Sequence, residues 1–291
     1  MSDVLIIGHG PAGVSAALYA LRSKLSVTLV GKGVGALEKA HLIENYYGLE
    51  KPLTGVELHE AGKRQAETLG AKFEYDELTD LFFDGKEFVA TGLKGEYRGA
   101  ACIMATGAAR KKQPLPGMVE MEGKGVSYCA VCDAFFYREK NVAVLGAGEY
   151  ALHECNELLP VVGSVTLLTN GAELSATFPE NVKIDKRPLS GLLGEGAFAG
   201  VKFDDGTEQN FDGLFVALGS ASAMDLARKA GAAFDNGNAV LDKDFMTTVP
   251  GLFAAGDCTG GTLQVAVAVG EGAIAGLAAI KYLRGIREAA G

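Results

Sequence analysis

The chain opens on a continuous apolar run, Val4-Leu5-Ile6-Ile7, then a glycine-rich turn, then the small and apolar stretch Val14 to Ala20. A short run that is apolar at every position predicts a strand buried on both faces, and the small residues after it predict a helix packed closely on that strand. A second run, Asn141 to Leu145, leads into Gly146-Ala147-Gly148-Glu149-Tyr150-Ala151, an offset of 138 residues between Gly8 and Gly146. The next strands, Val27 to Val30 and Val165 to Leu168, share that offset of 138. A third pair, Ile103 to Gly107 and Phe215 to Gly219, is separated by only 112, so the second copy is 26 residues shorter (138 − 112) in its middle. Strand-turn-helix-strand units that repeat in this way predict an α/β protein with parallel sheets.

The turns give the two copies a chemistry. In Gly8-His9-Gly10-Pro11-Ala12-Gly13 the first glycine makes the turn, the second lets backbone approach a pyrophosphate, and the third lets helix pack on strand. The helix N-terminus behind them offers N–H groups and a positive dipole end to phosphates. The expected fold class is therefore α/β with two Rossmann-like, three-layer ββα dinucleotide-binding domains, the second inserted into the first. Gln113-Pro114-Leu115-Pro116-Gly117 has linker composition, a second crossing is expected near Asp242 to Phe245, and Leu252 to Cys258 reads again as a strand followed by a loop before the last helix. These boundaries predict one domain over 1–112 and 245–291 and another over 113–244.

Composition narrows the functions. Gly is 40 of 291 residues, about twice the usual ~7%, which suits tight turns and close backbone approach to ligands. A formal charge of −9 excludes nucleic acid as the main partner. The apolar stretch Thr262 to Ile280 contains Glu271 and three glycines, so a buried helix is expected there and no membrane partner. The start has no basic region or cleavage site, and five cysteines are an odd number, so a cytoplasmic protein without a disulfide framework is expected.

Cys129-Ala130-Val131-Cys132-Asp133 is the reactive segment. A CxxC pair can bind metal, staple a loop or shuttle electrons. Zinc wants four ligands, and the chain has four His and no second CxxC; a structural disulfide is disfavoured in the cytosol. Redox exchange suits the pair best. A CxxC at a helix start has its thiol pKa lowered by the dipole, and Asp133 can donate or accept the exchanged proton. Cys102, Cys155 and Cys258 are expected to be small packing residues.

GHGPAG, Glu44-Asn45-Tyr46-Tyr47-Gly48, the ATG at Ala105 to Gly107, GVSYCAVCD with the following FFY, VPGLFAAGD, and Gln264 at the last helix together resemble the low-molecular-weight thioredoxin reductase family along almost the whole chain. That resemblance implies a homodimer with FAD in the first domain and a redox disulfide in the second. It implies that FAD contacts Gly8, Gly10, Pro11, Ala12, Gly13, the Gly31 to Leu37 loop with Gly35 and Ala36, Asn45, Ala105, Thr106, Gly107, Gly256, Asp257, Gln264 and Val265. It also implies that Cys132 faces the flavin and Cys129 attacks the disulfide of thioredoxin. One departure is Leu263, where the family often has Arg.

The second departure concerns the electron donor. Family members using NADPH carry a His-Arg-Arg…Arg cluster after the second domain's second strand, where this chain reads Leu168-Thr169-Asn170-Gly171-Ala172-Glu173. Two or three charge-assisted bonds to a 2′-phosphate, each about 1.5–3 kcal/mol, are lost with those cations. Tyr150 also stands where a small residue usually lies beside the pyrophosphate. The chain is therefore most similar to the ferredoxin-dependent flavin thioredoxin reductases, with reduced ferredoxin as the expected donor. Arg110, Lys111, Lys112, Lys124, Arg138 and Lys140 are candidates for docking it. An NAD(P)H-dependent thioredoxin reductase, and a dithiol oxidase on the same scaffold, are the alternatives.

Overall fold

A computed structural model describes residues 2–108, 115–118, 120–235 and 238–290. The chain divides into two compact units, Met1–Ala109 with Ser222–Gly291, and Arg110–Ala221. The second is an insertion between the two halves of the first.

The first half of unit 1 runs β1 (Ser2–Ile7), α1 (Pro11–Arg22), β2 (Val27–Gly31), α2 (Gly55–Thr68), β3 (Lys72–Tyr75), β4 (Leu78–Phe83), β5 (Phe88–Gly92) and β6 (Glu96–Met104). Unit 2 continues with β7 (Val126–Ser127), α3 (Ala130–Asp133), β8 (Asn141–Leu145), α4 (Glu149–Leu158), β9 (Ser164–Leu168), β10 (Val182–Asp185), β11 (Leu189–Leu193), β12 (Gly200–Phe203), β13 (Glu208–Asn210) and β14 (Gly213–Val216). Unit 1 then closes with α5 (Ala223–Lys229), the ribbon β15 (Phe234–Asp235) and β16 (Asn238–Ala239), β17 (Leu252–Ala254) and α6 (Val265–Ala290).

In unit 1 the parallel strands β3, β2, β1 and β6 adjoin in that order, and β6 forks. Its first residues pair antiparallel with β5, and its last pair parallel with β17, Met104 opposite Ala254. Val4, Ile6, Leu29, Ala101, Ile103 and Phe253 form one core with α1, α2 and α6. In α6, 26 residues long, Gly272 and Gly276 meet α1: a Cβ at Gly272 would lie 2.1 Å from the Ala12 carbonyl oxygen. By length and composition alone α6 could cross a membrane. Its side chains Ala268, Ala275, Ala279, Ile280 and Leu283 join the unit 1 core, while Ile274, Leu277 and Ile286 are exposed, so the helix expected to be buried is buried on one face only.

Unit 2 repeats the design with the parallel sheet β10-β9-β8-β14-β7 and a three-stranded sheet β11-β12-β13. Alternation along β8 serves two cores. Val142 and Val144 pack with α3 and α4, while Ala143 and Leu145 pack with Val201 and Phe203 of the three-stranded sheet. The shortening of this copy has a structural meaning. The connection between β2 and β3 holds α2, whereas residues 169–181 between β9 and β10 hold no helix.

The return crossing differs from the expected Asp242–Phe245. Residues 222–244, expected in the inserted domain, cluster with unit 1. Ser222 caps α5 in a capping box with Asp225, and Lys229 Nζ on that helix donates to the Thr79 carbonyl of β4 (2.9 Å). Buried packing of α5 thus ties the segment to unit 1, whereas the sequence offered only the polar punctuation near Asp242 as a marker.

Candidate functional site

Cys129 and Cys132 form a disulfide at the start of α3. Their backbones differ in conformation: Cys129 is extended and caps the helix, and its Sγ accepts from the Cys132 N–H (3.1 Å). Cys129 is 3% exposed, whereas Cys132 lies at the surface, so the buried member is the one expected to attack the substrate. Ser127 organises the turn from below. Its hydroxyl donates to Asp133 Oδ2 (2.7 Å) and accepts from the Cys129 N–H (3.1 Å). The Ala130 N–H donates to Oε2 of Glu154 on α4 (2.6 Å). Sequence reading missed both partners, since Glu154 lies 24 residues downstream with no motif to mark it. Around the disulfide Val131, Phe135 and Phe136 are 55%, 68% and 69% exposed, and the Arg138 guanidinium lies 5.0 Å from the Phe135 ring. This apolar rim suits a macromolecular substrate better than a small thiol.

Of the three other cysteines, two are packing residues in the structure and Cys258 is partly exposed. Cys102 and Cys155 are buried; burial lifts the Cys102 thiol well above its ordinary value and pushes Cys155 up to about 12, helped by the Glu154 charge. Cys258 is also raised to about 12 by burial, its thiol pointing at the Ala255 carbonyl (3.3 Å).

In unit 1, Gly8 takes a positive φ of 121°, and a Cβ there would lie 2.1 Å from the Ala105 carbonyl oxygen. Gly13 is equally obligatory, its Cβ position 2.2 Å from the Gly8 carbonyl. Gly10 differs: nothing lies within 4 Å of its Cβ position, and it precedes Pro11 at the first turn of α1, which carries no acidic side chain. The turn is closed beneath and open above, and it leaves the α1 N–H groups to an anion. Around it lie the loop Gly31 to Leu37 and the Ala105–Gly107 turn after β6. Gly107 and Asp257 line a cavity of about 280 Å³ with Ser222, Met224, Asn238 and Cys258. Burial raises the Asp257 carboxyl above its ordinary range. Asn45 and Gln264, 219 residues apart, are joined by Asn45 Nδ2 donating to Gln264 Oε1 (3.2 Å). Glu271, absent from the sequence-based site, accepts from the Gly256 N–H (2.7 Å) and the Thr259 hydroxyl (3.2 Å) and so holds the Gly256-Asp257 turn.

In unit 2, Gly146 repeats Gly8, its Cβ position 2.3 Å from the Ala217 carbonyl oxygen, but the upper side is occupied. A Cβ at Gly148 would meet Ser175 Oγ at 2.9 Å, and the Ser175 N–H donates to the Ala147 carbonyl (2.9 Å). Glu149 puts an acid in the first turn of α4, and Tyr150 is 1% exposed with its hydroxyl donating to the Tyr128 carbonyl (3.3 Å). Of the expected docking cations, Arg110, Lys111 and Lys112 lie outside the described residues. Lys140 sits 5.7 Å from the Tyr137 ring.

Residues 2–272 match the family model of the pyridine nucleotide-disulphide oxidoreductases. A thioredoxin reductase of Peptoclostridium acidaminophilum is 35% identical, over 97% of this chain and 96% of its own. Among solved structures, an atypical thioredoxin reductase from Desulfovibrio vulgaris Hildenborough aligns with TM-score 0.89 at 40% identity, covering 98% of both chains. A ferredoxin-flavin thioredoxin reductase from Clostridium acetobutylicum aligns with TM-score 0.72 at 32% identity, over 97% of this chain and 98% of its own. With the duplicated glycine turns, the paired sheets and the disulfide of α3 in place, the chain belongs to the pyridine nucleotide-disulphide oxidoreductase family.

Proposed function

We propose that the protein is a flavin-linked reductase of thioredoxin that takes its electrons from reduced ferredoxin rather than from NAD(P)H. Unit 1 is then the FAD-binding domain, and unit 2 an NAD(P)-type domain that carries the redox disulfide and a degenerate nucleotide site. The observation that carries the donor assignment is Ser175, docked on the face of Gly148 where a pyrophosphate would approach. Glu149 adds a like charge at the same helix end. The cations that would read a 2′-phosphate are missing after Leu168. The likeness to the ferredoxin-flavin thioredoxin reductase of Clostridium acetobutylicum supports the same reading.

The open face of Gly10 and the uncapped start of α1 fit the diphosphate of FAD, and the bonded Asn45–Gln264 pair fits the edge of its ring system. Bound there, FAD would supply the conversion of single electrons into the pair that a disulfide needs. The protein's own part is to present the disulfide. Asp133, fixed by Ser127, stands ready to take or give the exchanged proton, and the apolar rim of Val131, Phe135 and Phe136 gives a protein substrate its footing. Exchange with thioredoxin passes through a mixed disulfide. The same reading carries the homodimer that the family resemblance implies and the cytoplasmic setting expected from the cysteine usage.

Anaerobic photometry tests the donor. Reduced ferredoxin is expected to bleach the bound flavin and free the thiols of Cys129 and Cys132, while NADPH and NADH leave the flavin oxidised. Bleaching by micromolar NADPH would return the protein to the nicotinamide-dependent thioredoxin reductases. Sustained peroxide formation from a small dithiol would make it an oxidase instead.

A further inference from the structure

Glu154 is a carboxylate 1% exposed on α4, the one buried acid of unit 2 among the described residues, and the chemistry above does not use it. Its Oε2 accepts from the Ala130 N–H (2.6 Å), the peptide that follows Cys129 directly. The N–H groups at the start of a helix stabilise an anionic sulfur at the cap and so lower its pKa. Here the first of them is taken by a carboxylate. What remains aimed at Cys129 Sγ is the Cys132 N–H (3.1 Å).

We propose that Glu154 is a positioning residue for the redox pair: it clamps the start of α3 through Ala130, and its charge opposes ionisation of Cys129, making the dithiol a stronger electron donor. The balance behind this is simple. Reduction of the Cys129–Cys132 bond takes two electrons and two protons. In the onward exchange one cysteine, as thiolate, bonds to a substrate sulfur; the substrate S–S bond breaks and its leaving sulfur takes a proton. The second cysteine, losing its proton, then restores the Cys129–Cys132 bond and releases the substrate dithiol. A pair whose thiolate is strongly stabilised holds its electrons and acts as an oxidant, whereas a pair whose thiolate is opposed gives them up. A reductase gains from the second arrangement.

Among the described residues, other charged or titrating groups lie around this turn. Asp133 lies on α3, tied to Ser127. Tyr137, on the following turn, is raised above its ordinary value by burial and then by Asp133 and Asp212. His153 and Cys155 flank Glu154 on α4, and β8 and β9, packed beneath, bring no charged side chain.

The test compares the full-length holoprotein with Glu154→Gln, which keeps an oxygen acceptor for Ala130 and removes the charge. The proteins are reduced with a phosphine, and alkylation of Cys129 by iodoacetamide is followed by peptide mass across pH. The midpoint is expected to fall by about one pH unit in the variant, and its disulfide to be reduced at a lower ratio of reduced to oxidised glutathione. An unchanged midpoint in a folded Glu154→Gln protein overturns the proposal. Should that variant not fold, amide exchange of wild-type Ala130 decides: protection in both oxidised and reduced protein is expected, and its loss on reduction removes the clamp. The proposal rests on the disulfide being the redox centre but not on the donor. A protein that reduces thioredoxin with NADPH alone shows the same midpoint shift, so the two ideas fail separately.

Discussion

The two glycine turns of this chain start from nearly the same strand and helix and end with opposite accessibility. Gly8 and Gly146 do identical work, each packed so tightly on a carbonyl of the neighbouring strand connection that no side chain fits. One position on, His9 stands opposite Ala147, and one further the copies diverge: the face of Gly10 is open, and that of Gly148 is covered by Ser175. The cause lies in the connection after the second strand. Where unit 1 spans 32–71 with a helix, unit 2 spans 169–181 without one, and Ser175 of the short connection bonds back to Ala147. The comparison teaches that packing of helix on strand and reception of a ligand are separable duties of one motif. A copy can lose the second while it keeps the first.

Three substitution pairs would break or sharpen this contrast. The largest effect is expected at the shared position. Gly8→Ala places a methyl 2.1 Å from the Ala105 oxygen at a φ of 121°, and should cost about 3 kcal/mol or more and yield flavin-free protein. Gly146→Ala should lower the melting temperature comparably yet leave the flavin content of the folded fraction intact. Equal loss of flavin from both would erase the distinction between the units. Next in size is the divergent position. Gly10→Ala, with ordinary φ and open space around it, should melt within about 0.5 kcal/mol of wild type while flavin affinity falls roughly 100-fold, because backbone approach to the pyrophosphate is lost. Gly148→Ala need only displace the Ser175 hydroxyl, and thioredoxin reduction should stay within about twofold of wild type; a large loss would mean that the covered turn still receives a cofactor.

The smallest effect is one of pH. His9 is buried against Phe73 and Tyr75, and burial holds its imidazole below the ordinary value of 6.5. The unfolded chain therefore binds a proton that the folded chain refuses. Stability is complete above about pH 6.5 and declines as pH falls from there, by at most about 1.4 kcal/mol per pH unit, until the folded imidazole itself titrates. His59, lowered in the same direction, adds to the decline. Thermal melts at pH 7.5 and 5.5 should show a drop that His9→Gln reduces by about 1 kcal/mol, whereas substitutions at Ala147, its counterpart in unit 2, should leave the acid sensitivity unaltered.

Much of this was legible from local pattern. Strand runs, glycine spacing and the offset of 138 residues identified two α/β units, because a strand-turn-helix is specified by neighbours in sequence. CAVCD marked the redox pair for the same reason. Where the second unit hands the chain back was misplaced by some twenty residues, since α5 belongs to unit 1 through its contact with β4 and not through any feature of its own composition.

The sequence by itself determined which chemistry the chain can carry: a glycine turn able to receive a dinucleotide, a disulfide able to exchange, and the lack of cations after Leu168. The tertiary structure alone decided which turn is open, which cysteine is buried, and which distant acids hold the reactive segments. Glu154 on Ala130 and Glu271 on Gly256 are bonds between residues 24 and 15 positions apart. Such partners obey no period, because burial and hydrogen bonding are settled by what folding brings together, and a carboxylate far along the chain reveals its role only once its partner peptide has been placed against it.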